Sequence, residues 1–162
     1  MLNPSSPLAA LLNATMRPGT VEWIGLRPQR RAPIAVLQSA TLDPQQGLIG
    51  DRYDGRSGAR HVTLIGRENL AAIASYLGIP EVRPDQLRRN IVIAGINLLA
   101  LKDRRFRLGE ALLETTGECH PCSRMEEIFG TGGYNAVRSH GGISARVLEG
   151  GEVRIGDELI AV

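Results

Sequence analysis

"VLEGGEVRIGDEL", residues 147 to 159, decides the fold class. Apolar and polar side chains alternate on both sides of Gly150 and Gly151. That is the period of two half-buried strands, and the glycine pair predicts a tight hairpin between them. Similar runs, rich in β-branched and apolar residues, recur at "TVEWIGL" (20–26), "APIAVLQSA" (32–40), "HVTLI" (61–65), "NIVIAG" (90–95), "RFRLGEALLETTG" (105–117) and "ARVLEG" (145–150). By contrast, "GRENLAAIASYLG" (66–78) repeats Leu70, Ile73, Ala74 and Leu77 at helical spacing and stops at Gly78 and Pro80. "PDQLRR" (84–89) and "SRMEEIFG" (123–130) are shorter helical stretches, the second with Ser123 and Glu126 spaced as a capping box. Strands outnumber helices and do not alternate with long ones. The expected fold is mainly β (α+β): an antiparallel, barrel-like sheet with a few short helices.

A chain of 162 residues can bury a core as one domain without metal or disulfide staples. Residues 1–19 read as an N-terminal extension and 20–162 as the domain. The formal charge of +2 is too small to mark a nucleic-acid partner, and the apolar stretch of the opening segment is too short to span a membrane. That segment also lacks the charged start of an export signal, so the expected compartment is the cytoplasm, where the two cysteines stay free of each other or bind something. Basic residues cluster at "RPQRR" (27–31), "QLRRN" (86–90) and "DRRFR" (103–107), each a solvated face or a seat for a small anion.

Both cysteines fall in "GECHPCSRMEEIFG" (117–130). Structural zinc needs four ligands, and only His61, His120 and His140 could join the thiols. A thioredoxin-type disulfide wants a strand–helix setting that this strand-rich chain does not offer. Cys122, directly before the expected helix start and beside Arg124, sits where a thiolate is favoured, which suits a soft metal or a sulfur atom. The plain alternative is a pair of inert, buried thiols.

Three further constellations carry polar chemistry. In "GLIGDRYDGRSGARHVTLI" (47–65), Gly50 and Gly55 allow close backbone approach, and Asp51, Arg52, Arg56, Arg60 and His61 could face one pocket; a solvated hairpin is the alternative. In "QLRRNIVIAG", Arg88 and Asn90 share a face if the chain is extended, joining a phosphate-gripping guanidinium to an amide that can read a heterocycle. In "GTGGYNAVRSHGGI" (130–143), five glycines flank Tyr134, Asn135, Arg138 and His140, as in a flexible polar lid.

The ordered motifs "GLIGDRY", "RHVTLI", "LRRNIVIAGINLLAL", "RFRLGEALLETTGECHPC" and "GGISARVLEGGEVRIGDEL" resemble the MOSC domain, named for the C-terminal domain of molybdenum cofactor sulfurases. The resemblance runs from about residue 20 to the end and is closest to the small stand-alone bacterial members. It implies a barrel-like β fold that binds a molybdenum–pterin cofactor, or passes cofactor-linked sulfur through one cysteine. The cysteine of the family's "PC" falls on Cys122, and the arginine and asparagine before its "NIV" strand fall on Arg88 and Asn90, with Arg89 as an alternative phosphate partner. The chain departs from the full sulfurases in lacking their large pyridoxal-phosphate domain, so mobilising sulfur from free cysteine is not expected.

The resulting expectation is a molybdenum-cofactor binding protein. Cys122 is its molybdenum ligand and catalytic residue, with Arg88, Arg89, Asn90, Asp51, Arg52, Arg60 and His61 around the cofactor. Its substrate is a small N-hydroxylated molecule, and electrons come from a separate reductase, because the sequence holds no flavin, haem or iron–sulfur motif. The alternative is a carrier that holds a persulfide on Cys122, or the cofactor itself, for delivery elsewhere. Neither nucleic acid nor membrane is an expected partner, and the assembly is a monomer or homodimer.

Overall fold

A computed structural model describes residues 2–53 and 57–162. A short helix α1 (Pro7–Leu12), capped by the Ser6 hydroxyl, precedes the sheet. The strands that follow are β1 (Gly19–Leu26), β2 (Ala35–Leu37), β3 (Ser39–Asp43), β4 (Gly47–Leu48), β5 (Val62–Gly66) and β6 (Ile91–Ala94). After a 3-10 turn (Leu98–Leu101) come β7 (Arg105–Leu108), β8 (Ala111–Glu118), β9 (Ile143–Glu149), β10 (Gly151–Arg154) and β11 (Glu158–Ala161). Helix α2 (Arg67–Leu77) joins β5 to β6, and α3 (Arg124–Phe129) and α4 (Gly133–Val137) join β8 to β9.

Seven strands close into a barrel in the order β11, β7, β8, β9, β5, β6, β1, with β1 returning to β11 through Gly19 and Leu159. β2 extends the edge of β1 beyond β11, and β10, β3 and β4 form a second, three-stranded sheet that adds Ala40, Leu42 and Val153 to the barrel core. The expected barrel is thus present, with one departure from the antiparallel pattern: β5 and β6 run parallel. A parallel pair needs a crossover, and α2 supplies it.

This pair is buried on both faces, which explains its unbroken apolar sequences. Leu64, Ile91 and Ile93 point into the barrel; Ile65 and Val92 point outward into a second core with Ile73, Met125 and Val137. At about 1.5–3 kcal/mol for each fully buried aliphatic side chain, this outer core holds α2, α3 and α4 against one side of the barrel. α2 ends at Gly78 in the left-handed conformation, as its sequence predicts.

Five local expectations are corrected. β9 and β10 are not a hairpin: β9 pairs with β5 and β8, whereas β10 pairs with β3 in the other sheet. Neither Gly150 nor Gly151 has a positive φ, which the tightest two-residue hairpin turn would need at both. The pair serves a corner between sheets, where a Cβ on Gly150 would stand 2.8 Å from the Leu42 carbonyl oxygen and one on Gly151 2.6 Å from Glu110 Cβ. "APIAVLQSA" is two strands in different sheets, and "PDQLRR" is a series of turns.

The capping box at α3 does not form either. Ser123 is itself helical (φ −56°, ψ −23°), and Glu126 instead accepts from the Gly132 and Tyr134 backbone N–H groups, capping α4. The stretch 130–143 is accordingly no loose lid. Ala136 and Val137 of α4 are buried, and Gly133 leaves room for the Met125 carbonyl. No helix among the described residues is long and apolar enough to cross a membrane.

Candidate functional site

Three connections converge on one cavity of about 270 Å3: the 27–31 loop after β1, the 86–89 turns before β6, and the 120–124 segment that leads from β8 into α3. Among the described residues seven arginines line it, namely Arg27, Arg30, Arg31, Arg52, Arg88, Arg89 and Arg124. Cys122 and His120 open onto it, Leu87, Met125 and Ile128 give it an apolar wall, and no carboxylate lines it among the described residues. Leu87 and Met125 also belong to the outer core, so the wall is fixed by packing.

Behind the lining lies a buried polar node. The Asp51 side chain is 1% exposed and takes both arms of Arg27, at 2.7 Å (Nη2) and 3.2 Å (Nε), as well as the Arg27 backbone N–H at 2.8 Å. Burial pushes the Asp51 carboxyl upward, but the hydrogen bonds and charge of Arg27 and the Asn90 amide outweigh it, and the net shift is down. Asn90 is fully buried and spends its whole hydrogen-bonding capacity inside the protein. Its Nδ2 donates to the Gly25 carbonyl (3.0 Å) and Asp51 Oδ1 (3.1 Å), while its Oδ1 accepts from the Thr63 N–H (3.0 Å) and hydroxyl (3.1 Å). Asn90 therefore ties β1, β5 and the 51–53 turn together and presents nothing to the cavity.

The arginines before β6 do two jobs at once. Arg88 has φ +56°, so the extended-chain alternation that would put it on the face of Asn90 does not apply. Its guanidinium lines the cavity and donates to the Ala32 (2.6 Å) and Gln29 (3.0 Å) carbonyls, clamping the 27–32 loop. Burial, then the charges of Arg124, Arg27 and Arg52, weakens the hold of Arg88 on its proton. Arg89 donates to the Gly141 (2.7 Å) and Leu87 (2.6 Å) carbonyls and bears electrostatically on Cys119. The Nε atom of Arg124 is buried without a partner among the described residues.

The two cysteines are not equivalent. Cys122 is exposed at the cavity, whereas burial pushes the Cys119 thiol up despite the opposing pull of Arg89, Arg60 and Arg27. Cys119 is therefore held towards the protonated thiol, and Cys122 is the more accessible sulfur.

Of the residues expected at the site, Arg52, Arg88, Arg89 and Cys122 meet at the cavity. Asp51 and Asn90 support it from behind, and Arg60 is exposed outside the lining. His61 is a core residue: its Nδ1 accepts the Val147 N–H at 3.1 Å, and burial, then Arg146, lowers its pKa. His140 rests on α2 against Asn69 (3.0 Å) and Tyr76. Gly55 and Arg56 lie outside the described residues. The additions are Arg27, Arg30, Arg31 and His120. The visible signal for the first three was "RPQRR" sitting between two strands, a placement that commits three arginines to one barrel end.

Comparison with known proteins gives the same architecture. The structure is similar to the YUAD protein from Bacillus subtilis (TM-score 0.75, 19% identity, 89% of this chain and 95% of that one). It is also similar to YiiM from Escherichia coli (TM-score 0.69, 19% identity, 90% and 70%) and to YiiM from Geobacillus stearothermophilus (0.71, 15%, 90% and 75%). At these identities the likeness speaks to fold alone. No curated protein matches the chain in sequence. The MOSC domain model matches residues 41–160, most of the barrel together with Cys122 and the 86–89 turns, and the chain therefore belongs to the MOSC domain family.

Proposed function

We propose that this chain binds the molybdenum cofactor in the arginine cavity, with Cys122 as the protein ligand to molybdenum, and reduces small N-hydroxylated substrates with electrons from a separate reductase. The observation that carries the reading is the exposed Cys122 thiol on a cavity lined, among the described residues, by seven arginines and no carboxylate. MOSC domains are associated with the molybdenum cofactor, and the donor set fits that group: guanidinium forks for its phosphate, a soft sulfur for its metal. Among the described residues no three His, Cys, Asp or Glu side chains come together as a metal cage. A metal at Cys122 would thus bring its other donors with it, as a dithiolene-bound one does.

When bound, the cofactor would supply the two-electron chemistry that removes oxygen from the substrate. The chain's own residues hold and orient. Arg89 and Arg124, both half-buried, and Arg52 and Arg88 take the phosphate. The unpartnered Arg124 Nε is a donor waiting for an acceptor. Asp51 fixes Arg27, Asn90 fixes the turn that carries Arg52, and Met125 and Ile128 shield one flank from water.

The test is elemental analysis and pterin fluorescence on protein from a molybdenum-replete host. Wild type should carry molybdenum and pterin, and Cys122→Ala should lose the metal while keeping its fold. Retention of molybdenum by Cys122→Ala would sink the assignment. A native mass increased by one sulfur on Cys122, without molybdenum, would move the chain to the sulfur-carrier reading.

A further inference from the structure

The cavity carries more positive charge than one cofactor phosphate can use. Arg27 is neutralised by Asp51, but the other six lining arginines have no carboxylate partner among the described residues. A phosphate monoester brings about −1.5 to −2 charges near neutral pH, which leaves roughly four guanidiniums uncompensated. These arginines also lie in two tiers. Arg89 and Arg124 are half-buried beside the Cys122 segment, whereas Arg30 and Arg31 are exposed on the rim.

The rim is held in place. Arg31 sits at φ +61° in a turn closed by the Ala32 N–H on the Gln29 carbonyl (3.3 Å). Arg88, itself at φ +56°, grips the Ala32 and Gln29 carbonyls, and the loop's first residue is pinned where the Arg27 N–H meets Asp51. Non-glycine residues in the left-handed region cost about 1–3 kcal/mol each and persist where the surroundings impose them. The rim also precedes the stretch matched by the family model, residues 41–160.

We propose that the cavity has two anion positions, and that the outer one, built by Arg30 and Arg31, takes a phosphate group carried by the substrate. The inference rests on the reading of Cys122 as the end of the cavity that holds the cofactor. Two adjacent guanidinium forks match the several oxygens and double charge of a phosphate better than a carboxylate, which one fork satisfies. The preferred substrate is then a phosphorylated N-hydroxylated compound.

The test compares a neutral aromatic amidoxime with its carboxylated and phosphorylated analogues, using the cofactor-loaded full chain and a chemical electron donor. The phosphorylated analogue should show kcat/KM about tenfold or more above the neutral one near 0.05 M salt, converging towards it near 0.5 M as the rim is screened. Arg30→Gln with Arg31→Gln should raise its KM about tenfold and flatten the salt dependence, while bound molybdenum and pterin stay at the wild-type level. Equal, salt-independent kcat/KM values would overturn the proposal. So would equal preference for the carboxylated analogue, or loss of cofactor in the double variant, which would give the rim to the cofactor. If neither molybdenum nor turnover is found, the cofactor reading fails, and calorimetric binding of the phosphorylated analogue to wild type and double variant then decides the rim. Binding that the variant loses keeps the outer anion position; binding that is absent or unchanged removes it.

Discussion

Replacing Asp51 by alanine tests whether the buried node behind the cavity holds the site together. The substitution removes a carboxylate 1% exposed and leaves the Arg27 guanidinium, the Arg27 backbone N–H and one of the two Asn90 Nδ2 hydrogens without this acceptor. Removing one partner of a buried ion pair costs about 3–5 kcal/mol, because the surviving charge stays desolvated and unpaired. A domain of this size is stable by about 5–15 kcal/mol and loses about 2–4 °C in Tm per kcal/mol, so the expected drop is about 6–20 °C. Thermal unfolding followed by circular dichroism at pH 7 measures it. Arg27→Ala and the double variant complete a cycle whose coupling should be about 2 kcal/mol or more.

The same node predicts the acid limb. The Asp51 pKa is lower in the folded protein than its ordinary 3.8, so on acidification the unfolded chain takes up the proton first. The contribution is complete above that value and is lost as the pH falls from it through the folded pKa, a loss Asp51→Ala would not show. A Tm drop below about 3 °C, with no coupling to Arg27, would refute the node as the anchor of the Arg27 loop.

Three other outcomes follow from the geometry. Asn90→Ala, which strands partners on β1, β5 and Asp51, should cost about 3 kcal/mol or more in urea unfolding, far above the few tenths expected of a surface ligand residue. Thiol labelling at pH 8 should modify Cys122 in the Cys119→Ser variant about tenfold or more faster than Cys119 in the Cys122→Ser variant, since Cys119 is only partly exposed and its thiol pKa is raised. Because the folded pKa of His61 is lowered from 6.5, stability should fall as pH drops below that value, by up to about 1.4 kcal/mol per unit, and urea midpoints of His61→Gln should lack this slope.

The barrel was legible because most of its strands carry their own signal: period-2 alternation where one face is wet, and unbroken apolar runs at β5 and β6 where both are covered. Partner choice was not. "VLEGGEVRIGDEL" shows two strands and a bend, but whether they pair with each other depends on the approach of Leu42 and Glu110, residues far away in the chain. Cys122 and Arg88 and Arg89 could be located because each sits at a junction of elements. The roles of Asp51 and Asn90 could not, since an Asp or Asn beside a strand looks the same whether it faces a ligand or a buried carbonyl. Arg88 was misjudged in orientation for a further reason: its positive φ is imposed by the carbonyls it holds at residues 29 and 32, and its own sequence neighbours do not announce it.

The closure of β1 on β11 also governs how the molecule comes into being. Thr20 finds its partner in Glu158, about 140 residues later, so the first strand synthesised waits for one of the last. Contacts this distant slow folding, and until they form the barrel has two open edges, at β1 and β7, on which a stray strand could add. A product truncated before β11 would keep the 27–31 loop and Cys122 yet lack the seam that draws β1 shut, and its failure would be aggregation before any loss of chemistry.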